Sequence, residues 1–310
     1  MILSVSRRTD IPAFYSEWFF NRIKEGFAYT RNPMNKNAVS KISLSTEVID
    51  CIVFWTKNPA LSFMKNLGLL NSYQYYFQFT ITPYNEFIEQ NIPKKKFVIN
   101  NFIKLSEKLG KEKVIWRYDP ILLSKEYTIE YHIKYFEELA RRLHHYTDKC
   151  IISFIDFYKK CEWNLKDTSV RTLENSEIIE LSKKLKDISD LYGIQIETCG
   201  EEIESDTIGI NQGMCIDNNL IEQITGKKIK AKKDKNQRPF CGCMESVDIG
   251  EYNTCRHYCL YCYANINKET VADNSKMHVT NSPLLIGKLK HTDIVKERKM
   301  YSLIEKTLFD

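Results

Sequence analysis

The sequence predicts an α/β protein built from repeated βα units around a parallel sheet, in the manner of a partial (β/α) barrel. Two observations carry this. Short β-branched and aromatic runs alternate with longer amphipathic stretches, the pattern expected when each strand is followed by a crossover helix. The strand-like runs also end in distinctive polar sequences, as the C-terminal ends of barrel strands do when their loops build one rim. At 310 residues the chain can bury a full core.

Six strands are read at Ile2 to Ser6, Cys51 to Trp55, Tyr75 to Thr82, Lys113 to Tyr118, Cys150 to Asp156 and Gly193 to Thr198. Each is rich in Ile, Val, Phe, Tyr or Trp over a strand-like length. Helices are expected at Ser16 to Glu25, Ala60 to Leu69, Lys95 to Leu109, Thr128 to His144 and Leu173 to Leu191, where apolar residues recur three and four apart. The clearest stripe is Ile129, Ile133, Phe136, Leu139 and Leu143, a core-facing set. A seventh strand is expected at Ser246 to Gly250, closing beside Ile2 to Ser6. That places a strand from the end of the chain next to the first one, as in a circularly permuted barrel. The expected division is a βα body over 1–226 and a C-terminal segment over 227–310 that completes the barrel.

The strand endings are Ser6-Arg-Arg-Thr-Asp10, Trp55-Thr-Lys-Asn-Pro59, Thr80-Ile-Thr-Pro83, Trp116-Arg-Tyr-Asp-Pro120, Asp156-Phe-Tyr158 and Glu197-Thr-Cys-Gly-Glu201-Glu202. In a parallel sheet all six lie at one edge. Any one has a bland explanation, since Pro ends strands and charge meets water; together they indicate a functional rim.

No run approaches the 18 apolar residues of a membrane span, so no membrane partner is expected. Ten cysteines, with no signal-peptide pattern at the start, point to a reducing, cytoplasmic location where thiols serve metals. Net charge is a mild +5. Six lysines between Lys227 and Lys235 read as a solvated loop, or as a patch contacting phosphate. No P-loop, dinucleotide fingerprint or Gly-x-Ser-x-Gly is present.

The densest chemistry follows the seventh strand, at Cys255-Arg-His-Tyr-Cys259-Leu-Tyr-Cys262-Tyr263. Three thiolates spaced C-x3-C-x2-C can occupy three irons of a 4Fe-4S cube and leave the fourth iron open. Structural zinc is the alternative, with His257 or a distant cysteine as fourth ligand. The spacing, with Tyr261 before the third cysteine, resembles the cluster loop of the radical S-adenosylmethionine (radical SAM) superfamily. That resemblance implies a radical SAM-type barrel, a 4Fe-4S cluster held by Cys255, Cys259 and Cys262, bound S-adenosylmethionine (SAM), and an electron donor such as flavodoxin or ferredoxin. The superfamily's loop usually follows the first strand, whereas here it follows the last. Ser4-Val-Ser-Arg-Arg-Thr-Asp-Ile-Pro-Ala13, Val53-Phe-Trp-Thr-Lys-Asn-Pro59, Trp116-Arg-Tyr-Asp-Pro-Ile121, Asn281-Ser-Pro-Leu-Leu-Ile-Gly287 and the cysteine block further resemble domain-of-unknown-function family 1848, bacterial proteins with a radical SAM-like motif near the C-terminus. The compact barrel and the Arg-x-Asp-Pro strand end are similar to spore photoproduct lyase-like radical SAM proteins, which act on DNA.

By this resemblance Tyr261 meets the adenine of SAM, and Asn253 caps or holds the loop. Arg117 suits the SAM carboxylate because guanidinium binds carboxylate in a fork, with an ion pair to Asp119 as its competing use. Glu197 or Glu201 could position the ribose or sulfonium, giving Arg117, Asp119, Glu197 and Glu201 as catalytic candidates. Arg7, Arg8, Asp10 and Lys57 are candidates for gripping a substrate, the cations favouring phosphate or carboxylate. Cys199, Cys215, Cys241 and Cys243 form a candidate second iron-sulfur or zinc site, with buried small hydrophobes as the alternative. Cys51 and Cys150 read as core residues. The reading is a radical SAM enzyme acting on an unidentified small molecule, peptide or nucleic acid. Its rivals are a non-catalytic zinc or iron-sulfur protein that contacts nucleic acid through basic residues, and an electron-transfer protein.

Overall fold

The computed structural model describes residues 1–201 and 205–305. Its strands in chain order are β1 (Ile2–Val5), β2 (Phe27–Asn32), β3 (Asn35–Ser43), β4 (Cys51–Thr56), β5 (Tyr75–Thr80), β6 (Val114–Ile121), β7 (Lys149–Phe154), β8 (Gln195–Thr198), β9 (Asn211–Gln212), β10 (Val247–Asp248) and β11 (Ile294–Glu297). Eight of them form one sheet in the order β10-β1-β4-β5-β6-β7-β8-β9, and every pairing is parallel. This mixed α/β fold is compatible with a partial β/α barrel. All six expected strands and the seventh are present, and β10 pairs with β1 through Leu3↔Val247 and Ser4↔Asp248.

The five expected helices are also present in whole or part. The segment Ala60 to Leu69 divides into an α-helix, Leu61–Lys65, and a 3-10 turn, Asn66–Leu70. Helix Ile129–Leu143 starts at Thr128, whose hydroxyl accepts the Tyr131 amide, a standard N-cap. Phe136, Leu139 and Leu143 are buried, whereas Ile129 and Ile133 are only partly so. His132 completes the buried stripe, bonded to the Tyr118 hydroxyl and the Leu122 carbonyl, each at 2.8 Å. Burial lowers its pKa to about 4.

The strands are buried on both faces, as parallel sheets require. One face packs Phe54, Phe77, Trp116 and Ile152 against the helices. The other packs Val53, Tyr76, Ile115 and Ile151 into a second, smaller core that includes five cysteines, Cys51, Cys199, Cys215, Cys241 and Cys243. Cys51 and Cys150 are fully buried strand residues, as expected.

The sequence reading did not anticipate the three-stranded sheet β11-β3-β2. Arg31 on β2 forks onto Asp293 with two 2.7 Å hydrogen bonds. Nearby, the buried Trp18 indole donates to the Ser282 and Leu284 carbonyls at 2.9 and 3.1 Å. The segment Asn281 to Gly287 therefore serves as a seam between the first helices and the C-terminal part of the chain.

The lysine run is largely exposed, as expected of a loop, but it is pinned. Ile229 is buried and bridges Ile304, and Lys233 bridges Met244.

Short β10 is held by one side chain. The Asp248 carboxylate accepts from the Ser4 and Ser6 hydroxyls at 2.7 and 2.6 Å, and from the Arg7 and Gly250 amides at 2.8 and 2.9 Å. Gly250 passes so close to β1 that an added Cβ would lie 2.6 Å from the Cβ of Ser6. Removing the carboxylate strands four donors, each costing about 1 kcal/mol or more. Asp248→Ala should therefore lower stability by about 3 kcal/mol and expose residues near 250 to limited proteolysis, whereas Asp248→Asn should be milder; urea unfolding of the two variants checks the order.

Candidate functional site

The C-terminal ends of the parallel strands open onto a cavity of about 840 Å3. Residues from all six strand endings reach it, from Ser6 through Asp10, Trp55 through Lys57, Thr80, Arg117 with Asp119, Phe154 through Asp156, and Cys199. The cysteine loop that follows β10 forms another wall, with Cys255, Cys259, Cys262 and Tyr261 all lining the space. Glu202, part of the sixth ending, lies outside the described residues.

The loop is clamped to the rim by backbone and side-chain bonds. The Leu260 amide donates to the Ile88 carbonyl at 3.0 Å, and the Asn91 amide to the His257 carbonyl at 3.0 Å. Asn253 takes a left-handed conformation, φ 60°, and its side-chain oxygen accepts the Ile266 amide at 2.7 Å. It holds the loop from outside the cavity lining, which fits the bracing half of its expected role and leaves it away from a bound cofactor. From behind, the Cys161 thiol donates to the Tyr261 carbonyl at 3.1 Å.

Two buried carboxylates tie the loop to the sheet. Asp10 accepts from the Ala13 amide, the Thr56 hydroxyl, the Lys57 amide and His257 Nε2 at 2.8–3.0 Å. Oδ2 takes three of these bonds and Oδ1 the fourth, so Asp10 organises the rim while still lining the cavity. Glu89 accepts from Lys57 Nζ at 2.7 Å and the Thr82 hydroxyl at 2.6 Å, and also from Lys95 and the Tyr261 hydroxyl. Burial alone would raise its pKa, but Lys57 and Lys95 outweigh burial and hold it far below the usual carboxylate range. Sequence reasoning missed Glu89, a single acid in a polar loop with no motif around it.

Lys57 is thus already paired, although its ammonium also lies 5.4 Å from the Tyr261 ring centroid and near enough to Cys259 to favour its thiolate. Arg7 donates to Ser246 at 3.0 Å and lies 3.5 Å from Asp234. Arg8 has no acidic partner among the described residues. It stands 5.3 Å from the Tyr252 ring centroid and lines the cavity, which leaves its charge available to an anion.

Arg117 and Asp119 both face the cavity and form the anticipated ion pair, 2.6 Å apart, and Ser153 also donates to Asp119. Arg117 Nη1 additionally approaches Cys215 Sγ at 2.6 Å. It is directed at the second group of cysteines, with its fork shared between Asp119 and Cys215. Glu197 lies outside the cavity lining. Its carboxylate takes Lys149 Nζ, at the start of neighbouring β7, at 2.9 Å and Gln195 Nε2, two residues earlier on its own strand, at 2.8 Å. Glu201 is likewise not among the lining residues; it accepts the Phe154 amide at 2.9 Å.

Cys199, Cys215, Cys241 and Cys243 all reach the cavity wall and are buried. Seven of the ten cysteines thus converge on one space, all as free thiols. Burial raises the pKa of Cys255, Cys259 and Cys262, with Cys259 at about 12. Among the described residues no group of three or more His, Cys, Asp or Glu side chains is posed to hold a metal ion. None of the helices is long and apolar enough to cross a membrane.

A family model described as domain of unknown function DUF1848 matches residues 2–264. The chain belongs to this family. The matched span runs from β1 past the third cysteine of the loop, so it includes both cysteine groups. No curated protein shows significant similarity to the chain. Among solved structures, three chains match at a significant level. One is the crystal structure of a provisionally named alpha-L-fucosidase from Bacteroides thetaiotaomicron, with 12% sequence identity, a TM-score of 0.27, and coverage of 74% of this chain and 81% of that one. Likeness at that score carries no argument about activity.

Two predictions follow from the buried acids. Glu89→Gln removes the charge that balances Lys57, and leaving a buried charge alone costs about 3–5 kcal/mol; the variant should lose that much in urea unfolding at pH 7, with partial recovery in the Glu89→Gln, Lys57→Met double variant. Glu201 has its pKa raised to about 7 by burial. Below its ordinary value of 4.5 the acid is neutral whether folded or unfolded. Between 4.5 and about 7 the unfolded chain releases the proton first, so stability falls as pH rises. Glu201→Gln should flatten that decline, seen by comparing thermal melts at pH 5 and pH 8.

Proposed function

We propose that this DUF1848 protein is a radical SAM enzyme acting on a substrate held in the rim cavity. The observation that carries the reading is the placement of Cys255, Cys259 and Cys262 on one wall of a cavity otherwise built from strand ends, directly after a strand that pairs at the edge of the sheet with β1. Order in space thus runs from the cluster-bearing strand through β1, β4, β5, β6, β7 and β8. This is the order of a radical SAM barrel whose first strand has been moved to the end of the chain.

Three thiols with an open side toward the cavity suit a cluster that keeps one iron free of protein. When bound, a 4Fe-4S cluster there supplies the electron that cleaves SAM into methionine and a 5'-deoxyadenosyl radical. The chain's own residues set the surroundings. Lys57 and Lys160 lie near enough to Cys262 to lower the cost of its thiolate. Glu89 fixes the Tyr261 hydroxyl, so the ring is held rigidly at the cavity wall where a base can pack. Arg8, with no acidic partner among the described residues, is the residue best placed to attract a carboxylate or phosphate. Electrons would come from a small donor such as flavodoxin or ferredoxin.

One observation favours a second reading. His257 sits within the cysteine loop and lines the cavity, and its buried Nδ1 has no hydrogen-bond partner. With Nε2 turned to Asp10, Nδ1 is the atom that could close a Cys3His zinc site of a non-catalytic protein.

Anaerobic reconstitution with iron and sulfide, followed by dithionite and SAM, separates the two. We expect 5'-deoxyadenosine from the wild-type protein, background levels from the Cys255, Cys259, Cys262 triple-alanine variant, and retention of the activity in His257→Ala. Absence of 5'-deoxyadenosine together with zinc that is lost in His257→Ala would establish the closed site instead.

A further inference from the structure

Cys199, Cys215, Cys241 and Cys243 come from three separate segments: the end of β8, the turn after β9, and the loop before β10. Their sulfurs nevertheless meet. Cys199 Sγ lies 2.9 Å from Cys215 Sγ, and Cys241 and Cys243 pack into the same buried cluster and the same cavity wall. Cys51 and Cys150, the ordinary core cysteines, sit singly on strands and have no such company.

We propose that these four cysteines form a tetrathiolate site for a single zinc ion, set in the cavity wall beside Arg117. This site is separate from the C-x3-C-x2-C loop and stands whether or not that loop holds a cluster.

Spacing selects one ion over a cube. With Zn–S bonds of about 2.3 Å, a tetrahedral site has sulfurs about 3.8 Å apart. Four-iron cubes carry their cysteines on separate irons and spread them much further. Cys199 and Cys215, at 2.9 Å, stand closer than the sulfurs of a zinc tetrahedron. An outward shift of roughly half an ångström by each of the two brings this pair to tetrahedral spacing.

The backbone under the quartet is already fixed. Tyr76 and Gln78 donate to the Cys215 carbonyl at 2.8 and 2.9 Å, and the Asp234 amide donates to the Cys243 carbonyl at 2.9 Å. Between the paired cysteines stands Gly242, where an added Cβ would come within 2.8 Å of Met214 Cγ, so a side chain in this Cys-x-Cys turn would force Met214 to move. Arg117, donating toward Cys215 Sγ, supplies the outer hydrogen bond and positive charge that a doubly negative zinc tetrathiolate needs when buried. Each Zn–S bond replaces an S–H bond, and the proton goes to solvent.

The test uses the full chain, purified under reducing conditions, with Co2+ as the probe. Binding of about one equivalent with the intense thiolate-to-cobalt absorption and visible bands of a tetrahedral CoS4 centre is expected, displaced by Zn2+ and retained in the Cys255, Cys259, Cys262 triple-alanine variant. The Cys241→Ser, Cys243→Ser double variant should lose it. As that variant could unfold, the wild-type protein is also alkylated with and without Zn2+ and mapped by mass spectrometry, and protection should fall on Cys199, Cys215, Cys241 and Cys243 together. The proposal is overturned if the cobalt spectrum is absent, if it survives in a folded double-serine variant, if protection maps elsewhere, or if the triple-alanine variant retains acid-labile sulfide on these four residues.

Discussion

The Asp10 carboxylate is where three distant stretches of this chain are joined. It caps the first helix through Ala13, fixes the end of β4 through Thr56 and the Lys57 amide, and receives His257 from the cysteine loop. A buried carboxylate is tolerated only when its acceptors are filled, so each of these segments is required by the others. Asp248 does the same between β10 and β1, and Glu89 between Tyr261, Lys57 and Lys95. The cavity keeps its shape because polar atoms at its base have no alternative partners, while its upper walls are free to carry chemistry.

This arrangement separates two kinds of charge on the rim. Asp10, Asp119 and Lys57 look in sequence like substrate-handling residues, since they end strands in polar motifs. Most of their capacity is consumed by one another and by the backbone. Arg8 and the two cysteine groups are what remains to meet a ligand, which makes the cavity less charged in effect than its residue content suggests.

The order of strands was legible because each parallel strand is buried on both faces and therefore reads as an apolar run, from Cys51 to Trp55 through Cys150 to Asp156. The pairing of Ser246 to Gly250 with the first strand was legible from its position before the cysteine loop. The small sheet was not. Thr30-Arg-Asn-Pro-Met-Asn-Lys-Asn carries turn residues and little apolar patterning, and it is held as strand by its partner Val39, by Arg31 on Asp293 and by the distant β11. Single-residue contacts between distant segments leave no local signal, which is why Glu89, 172 residues from Tyr261, escaped notice and why the approach of Arg117 to Cys215, 98 residues away, was not foreseen. Cysteine spacing, by contrast, singled out both thiol groups before their convergence was visible.

The pairing of β10 with β1 also bears on how the protein is made. β1 and β10 are far apart in the chain, with Ser4 and Asp248 separated by 244 residues, and the outer edge of β1 has no partner until residue 248 has followed. During that interval the nascent chain carries an apolar strand edge, Ile2 to Val5, open to any other strand it meets. Contacts of such long sequence separation form late and slowly. Shielding of that edge therefore matters until β10 arrives, and the wall that bears Cys255, Cys259 and Cys262 cannot be assembled before the stretch from β1 to the cysteine loop has been made.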